Sequence, residues 1–138
     1  MKKILFILLF TIPFVGFGQN VRFHHELTYG DEEIYFEGSP FNGIEIWEED
    51  GKIQLSTIKN GFENGLYQSF YSNGKLQFMG DYINGLNRNG VWRWWYENGQ
   101  LRSIMIYDGT DGDILQVRTN GLISEKCWDE NGKARYCD

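Results

Sequence analysis

Few side chains in this 138-residue sequence have the types and spacing that chemistry demands. His24 and His25 are the only histidines, and they are adjacent. A general base needs a nucleophile within hydrogen-bond reach, and no Gly-x-Ser-x-Gly elbow presents a serine. The pair is instead expected to be a solvated part of a flexible chain terminus. No Gly-x-Gly-x-x-Gly and no Gly-Lys-Ser/Thr phosphate loop occurs, so a nucleotide cofactor finds no cradle. Asp108, Asp111 and Asp113 offer oxygens to a calcium ion, but the acidic ladder and closing glutamate of an EF-hand are missing. Asp108 and Asp111 each precede a glycine, which is ordinary turn chemistry. The expectation is a chain with no catalytic set, no cofactor and no metal.

Cys127 and Cys137 are the only cysteines, too few for a structural zinc site without histidines beside them. Their expected state follows from the chain's first residues. Lys2 and Lys3 precede an apolar run from Ile4 to Phe17, and Gly16-Phe17-Gly18 supplies a small-x-small cleavage site. This is the pattern of an export signal over residues 1–18, too short and too interrupted by Pro13 for a comfortable membrane span. Export brings an oxidising compartment, periplasmic or extracellular, and hence a Cys127–Cys137 disulfide. Beyond the signal, residues 19–138 carry 11 basic and 19 acidic side chains, a net charge of −8. Such a surface repels phosphate backbones and anionic headgroups, so nucleic acid and acidic membranes are poor partners, whereas a cationic protein suits it.

The remaining chemistry is aromatic. Tyr67, Tyr71, Trp92, Trp94 and Tyr96 form a candidate binding surface, because tyrosine and tryptophan dominate contact hot spots. The same rings serve equally to stack one repeat on the next.

The elements that must position them are hairpins. Nine Asn-Gly and three Asp-Gly pairs account for twelve of the seventeen glycines, and each pair tolerates the positive φ of a tight turn. The segments around Gly51, Gly74, Gly99 and Gly132 repeat a pattern at spacings of 23, 25 and 33 residues. Trp47, Phe70, Trp95 and Trp128 stand four residues before those glycines, and Lys52, Lys75, Gln100 and Lys133 one residue after. A fixed period with a fixed internal pattern marks a repeat architecture. The expected fold is all-β: an elongated single-sheet array of antiparallel hairpins, with units near 41–62, 63–86, 87–109 and 120–138. Strands are expected near 44–49, 53–59, 66–72, 75–83, 91–97, 100–107, 114–119, 122–128 and 133–137. In the last hairpin, a three-residue loop Glu130-Asn131-Gly132 pairs Cys127 with Arg135 and leaves Cys137 on the same face. A two-residue loop would point the cysteines to opposite faces.

Gly65-Leu66-Tyr67 through Tyr71-Ser72-Asn73-Gly74-Lys75-Leu76 to Asn84-Gly85 resembles the MORN repeat in its bacterial variant. So does Gly90-Val91-Trp92 through Tyr96-Glu97-Asn98-Gly99-Gln100-Leu101 to Asp108-Gly109. Residues 34–43 look like the opening segment of such arrays, and 121–132 are similar to the closing repeat of the YwqK-family antitoxins. The last unit departs from the others, with Asp129 where Tyr71 and Tyr96 stand, as a terminal repeat does. The resemblance implies a non-catalytic interaction scaffold whose partner is a protein, a toxin in the antitoxin case. The alternative is a carbohydrate or cell-wall binding module working through the exposed aromatics.

Overall fold

Alternating side chains between Asn-Gly and Asp-Gly turns produce strands throughout the structure, a computed structural model that describes residues 20–85, 87–110 and 121–137. The expected export signal, the expected strand at 114–119, and Asp111 and Asp113 lie outside the described residues. The strands are β1 (Asn20–Phe23), β2 (Thr28–Tyr29), β3 (Ile34–Phe36), β4 (Ser39–Pro40), β5 (Gly43–Glu49) and β6 (Lys52–Lys59). They continue as β7 (Phe62–Phe70), β8 (Leu76–Ile83), β9 (Asn87–Trp95), β10 (Leu101–Asp108), β11 (Leu122–Trp128) and β12 (Ala134–Arg135). The only helical element among the described residues is a 3-10 turn, His24–Glu26.

Strands β5 to β12 follow one another in antiparallel order in a nine-stranded sheet. This is the expected array of consecutive hairpins. Its first edge was not legible: β1 pairs parallel to β5, with Asn20 beside Gly43 and Phe23 beside Ile46. Strands β2, β3 and β4 form a second, three-stranded sheet that packs Leu27, Ile34 and Phe41 against Ile58 of β6. Ile46, Ile53, Leu55 and Phe70 form a separate apolar cluster on β5, β6 and β7.

Two kinds of turn appear where one was expected. Asp50-Gly51 and Asn60-Gly61 are two-residue turns with positive φ at both positions. The turns at Gly74, Gly99 and Gly132 are three-residue loops, each closed in the same way. The amide of Tyr71, Tyr96 or Asp129 donates to the carbonyl of Lys75, Gln100 or Lys133 at 2.9 Å. Three other Asn-Gly pairs do not reverse the chain. Gly43 lies inside β5, and Asn64-Gly65 and Asn89-Gly90 lie inside β7 and β9. At the last two, four residues on one strand span two on the neighbour, so the glycines (φ 116° and 65°) form bulges. This is why β7 and β9 begin four residues earlier than expected.

The bulge in β9 lowers Trp92 onto Gly80. Trp92 is fully enclosed, and its indole N–H donates to the Asp81 carbonyl at 3.1 Å. A Cβ on Gly80 would stand 2.2 Å from the indole, so only glycine fits beneath the ring. Substituting Gly80 with alanine forces strand or ring to move, and is expected to destabilise by about 1–3 kcal/mol in urea unfolding. A loss below about 0.5 kcal/mol, the size of an ordinary surface change, would show that the indole does not need this floor.

The closing hairpin has the three-residue register, Cys127 opposite Arg135 and Trp128 opposite Ala134. After Arg135 the chain leaves the sheet, and Cys137 comes to a Cα separation of 5.3 Å from Cys127, bonded to it. Reducing this bridge is expected to lower stability by about 2–3 kcal/mol, the chain-entropy value for so short a loop. Thiol titration of the unreduced, denatured protein is expected to find no free cysteine.

Candidate functional site

Register brings the functional side chains into two rows on one face of the large sheet. The first row runs Trp47, Gln54, Ser69, Phe78, Trp94, Ser103, Cys127 and Arg135, each opposite the next on the adjoining strand. The second begins Glu45, Ser56, Tyr67 and Gly80. Large and small side chains alternate along the second row, and in the first Ser69 and Ser103 stand beside the rings of Phe78 and Trp94, so rings can close over the gaps left by serine or glycine. Trp92 lies 4.9 Å from Tyr82, 5.8 Å from Trp94 and 6.3 Å from Tyr67, between ring centroids. The Arg88 guanidinium sits 5.0 Å from Trp92, and its Nη1 donates to the Tyr107 hydroxyl at 3.1 Å.

The expected aromatic surface is therefore divided. Trp92 is wholly buried and can meet no partner, because the Gly65- and Gly90-type bulges turn the third residue of each Gly-x-aromatic motif inward. Tyr67, Tyr71, Trp94 and Tyr96 are half-buried. Tyr71 and Tyr96 are structural staples between units: their hydroxyls donate to the carbonyls of Trp95 and Trp128, at 2.7 and 2.9 Å. Asn73 and Asn98 repeat the device, donating to the carbonyls of Glu97 and Glu130, both at 3.1 Å. Asp129 replaces the tyrosine where no further unit follows among the described residues; its Oδ1 accepts from the amides of Asn131 and Lys133, capping its own turn. Asp108 is likewise occupied, accepting at 2.6 and 2.9 Å from Thr110, which holds its carboxyl below the usual range.

The rows end at a pocket of about 260 Å³, walled by aromatic rings and edged by carboxylates, that sequence reasoning missed. Glu45, buried on β5, forms one side. Its Oε1 accepts from the Tyr29 hydroxyl, and His24 Nδ1 stands 2.7 Å from the same oxygen. His24 is not a loose terminal residue: its ring lies between Tyr29 and Trp47, with centroids 4.7 and 5.6 Å away. The 3-10 turn, supported by Glu26 accepting from the Phe23 amide at 2.7 Å, delivers it there. Ser56 lies in the floor, and its buried Oγ makes no hydrogen bond. An activated serine requires a hydrogen bond to its base, and Ser56 has none to His24. No three His, Cys, Asp or Glu side chains among the described residues are grouped to hold a metal ion.

Tyr67 closes the pocket's far side, donating to Gln54 Oε1 at 2.9 Å. Burial, and then the charges of Tyr82, Glu45 and Glu63, push its phenol up to about 12. Tyr29 is raised as well, by burial first and then by its bond to Glu45.

Residues 63–84 and 88–108 match the family described as MORN repeat variant. These segments cover β7–β8 and β9–β10, so the two hairpin units around Trp92 are similar to repeats of that kind. No curated protein and no solved structure matches the chain.

The raised phenol carries a pH dependence. Unfolded tyrosine ionises near pH 10, whereas Tyr67 in the fold keeps its proton to about 12. The folded state binds the extra proton between those values, so stability is expected to fall as pH rises from about 10 through 12. Urea midpoints measured from pH 9 to 11.5 are expected to decline less steeply in Tyr67→Phe, with Tyr29, Tyr35 and Tyr71, whose phenols are also raised, supplying the remaining slope. An identical slope in the variant would remove Tyr67 from the account.

Proposed function

We propose that this chain is a non-catalytic binding protein of the cell envelope or exterior, exported through residues 1–18, that engages a basic protein partner. The observation that carries the reading is the union of two MORN-variant repeats with a sheet face whose rows end in an acidic, aromatic pocket. Repeats of this kind serve as interaction modules, since stacked units make an extended surface rather than an enclosed active site. The Cys127–Cys137 bridge accords with an oxidising compartment. The net charge of −8 beyond the signal favours cationic partners through steering. The likeness of the closing repeat to the YwqK-family antitoxins supports a neutralising role, in which binding masks a toxin. A glycan-binding reading draws on Trp47, which is 40 % exposed at the pocket.

The exported chain, immobilised and challenged with envelope extract, is expected to retain a basic protein specifically. Release should steepen with ionic strength as screening takes hold, and the purified partner should rebind. Saturable binding to peptidoglycan or soluble glycans, with no protein retained, would replace this reading with the glycan one.

A further inference from the structure

The geometry points to a recognition site for an arginine side chain of that partner, seated between Glu45, Ser56 and Glu63. This rests on the proposed function and names the chemistry of its contact. The site is built by register. Ser56, small, stands between Glu45 on one neighbouring strand and Tyr67 on the other, and the shortfall in side-chain length opens the pocket.

Its acceptors are unspent. Both hydrogen bonds to Glu45 fall on Oε1, and among the described residues no donor meets Oε2. Ser56 is 93 % buried, the complement of its 7 % exposure, yet its Oγ has no partner among the described residues. A buried hydroxyl left alone costs free energy that a bound ligand would recover. The Glu63 carboxylate, lining the same pocket, receives no side-chain or backbone donor among the described residues and acts electrostatically on both Tyr29 and Tyr67.

The walls supply the rest. Trp47 and Tyr67 present ring surface, on which a planar guanidinium stacks while its fork of N–H groups meets carboxylates. Neither nearby arginine bonds to Glu45: Arg88 donates to Tyr107 and stacks on Trp92, and Arg22, whose buried Nε has no partner among the described residues, is held elsewhere through its Nη1. Arg22, opposite Glu45 in the parallel pair, lays its guanidinium over Phe36 at 4.3 Å and donates to the Val21 carbonyl. His24 contacts Oε1 and leaves Oε2 without a donor among the described residues. At about 260 Å³ the pocket falls below the range of about 300–1,000 Å³ usual for drug-sized ligands, so it suits one side chain better than an oligosaccharide.

A second depression of about 480 Å³ continues from it, sharing Tyr29 and Glu63 and lined by Asp31, Glu32 and Glu33. It gives the residues flanking the arginine a negative path, which favours a basic segment of polypeptide over a free cation.

The test uses the full exported chain and two probes: the capped peptide Gly-Lys-Arg-Lys-Gly, and the same peptide with citrulline for arginine. Calorimetric titration is expected to show saturable binding of the arginine peptide and at least tenfold weaker binding of the citrulline peptide, which keeps the shape but loses the charge. Glu45→Gln and Glu63→Gln are each expected to weaken arginine binding at least fivefold. Glu130→Gln, the same charge change in the last turn, should alter it less than twofold. Glu63 bonds to nothing within the fold through its carboxylate, so Glu63→Gln keeps the test valid should Glu45→Gln fail to fold. Equal affinity for the two peptides, or equal loss in Glu63→Gln and Glu130→Gln, would overturn the site. So would chitooligosaccharide binding that Trp47→Ala abolishes while the peptide does not bind. Retention of the native partner by the Glu45→Gln/Glu63→Gln double variant would overturn the arginine site and leave the proposed function standing. Absence of any protein partner would remove that function itself.

Discussion

Everything in the repeat sheet is arranged around one enclosed ring, that of Trp92. An indole buried as fully as this one needs cover on both faces and an acceptor for its N–H. The chain meets these needs within two strands. Gly80 removes the side chain beneath the ring. The Asn89-Gly90 bulge lowers the ring onto it, and the Asp81 carbonyl takes the N–H where the ladder between β8 and β9 is interrupted. Tyr82, Trp94, Tyr67 and the Arg88 guanidinium then close around it. A single layer of hairpins thus acquires a core without a second layer at this point, because aromatic side chains lying along the sheet cover one another.

The units are joined a second time at their turns. Tyr71 reaches the backbone of the following unit, and Tyr96 does so again, each through one hydroxyl. Asn73 and Asn98 tie turn to turn in the same direction. These bonds are directional along the array: every donor belongs to the earlier unit and every acceptor to the later one. Among the described residues no unit follows the last hairpin to offer such an acceptor. Asp129 there turns its carboxylate back on its own loop, and the disulfide ties Cys137 back to β11.

Which parts of this were legible depends on whether the cause is local. Turn residues fix hairpin registers locally, so β5 to β10 and the three-residue loop that aligns Cys127 with Arg135 could be derived from the order of residues alone. The Asn-Gly pair has a local ambiguity, however. Positive φ serves a bulge as well as a reversal, and at Gly65 and Gly90 the neighbouring strands decide between them. The same limit hid Trp92's burial: alternation assigns it a face, but only Gly80 on the next strand reveals that the face is closed. At the other end, β1 pairs parallel to a strand twenty residues on, and His24 meets Glu45 across a similar gap. Neither contact leaves a pattern within its own segment. The pocket, composed of residues from five separate strands and the 3-10 turn, had no local signature at all.

That pocket lies where the repeat logic stops. Between repeats, each small residue in a row is covered by a ring from a neighbour: Gly80 by Trp92, and Ser69 beside Phe78 is buried to 1 % exposure. Ser56 is the corresponding small residue in the first hairpin; it has a ring, Tyr67, on one side only, and on the other Glu45, whose carboxylate is drawn toward His24 and Tyr29. An aromatic residue in place of Glu45 would close the row and complete the core as the later units do. The N-terminal segment instead wraps round to hold a carboxylate in place with two hydrogen bonds on one oxygen. Holding an acidic group at the edge of a core costs desolvation, and among the described residues no lysine or arginine pairs with this carboxylate. An aromatic ring at this position would leave no carboxylate to desolvate; the first unit instead keeps one that is oriented through Oε1, with no donor on Oε2 among the described residues.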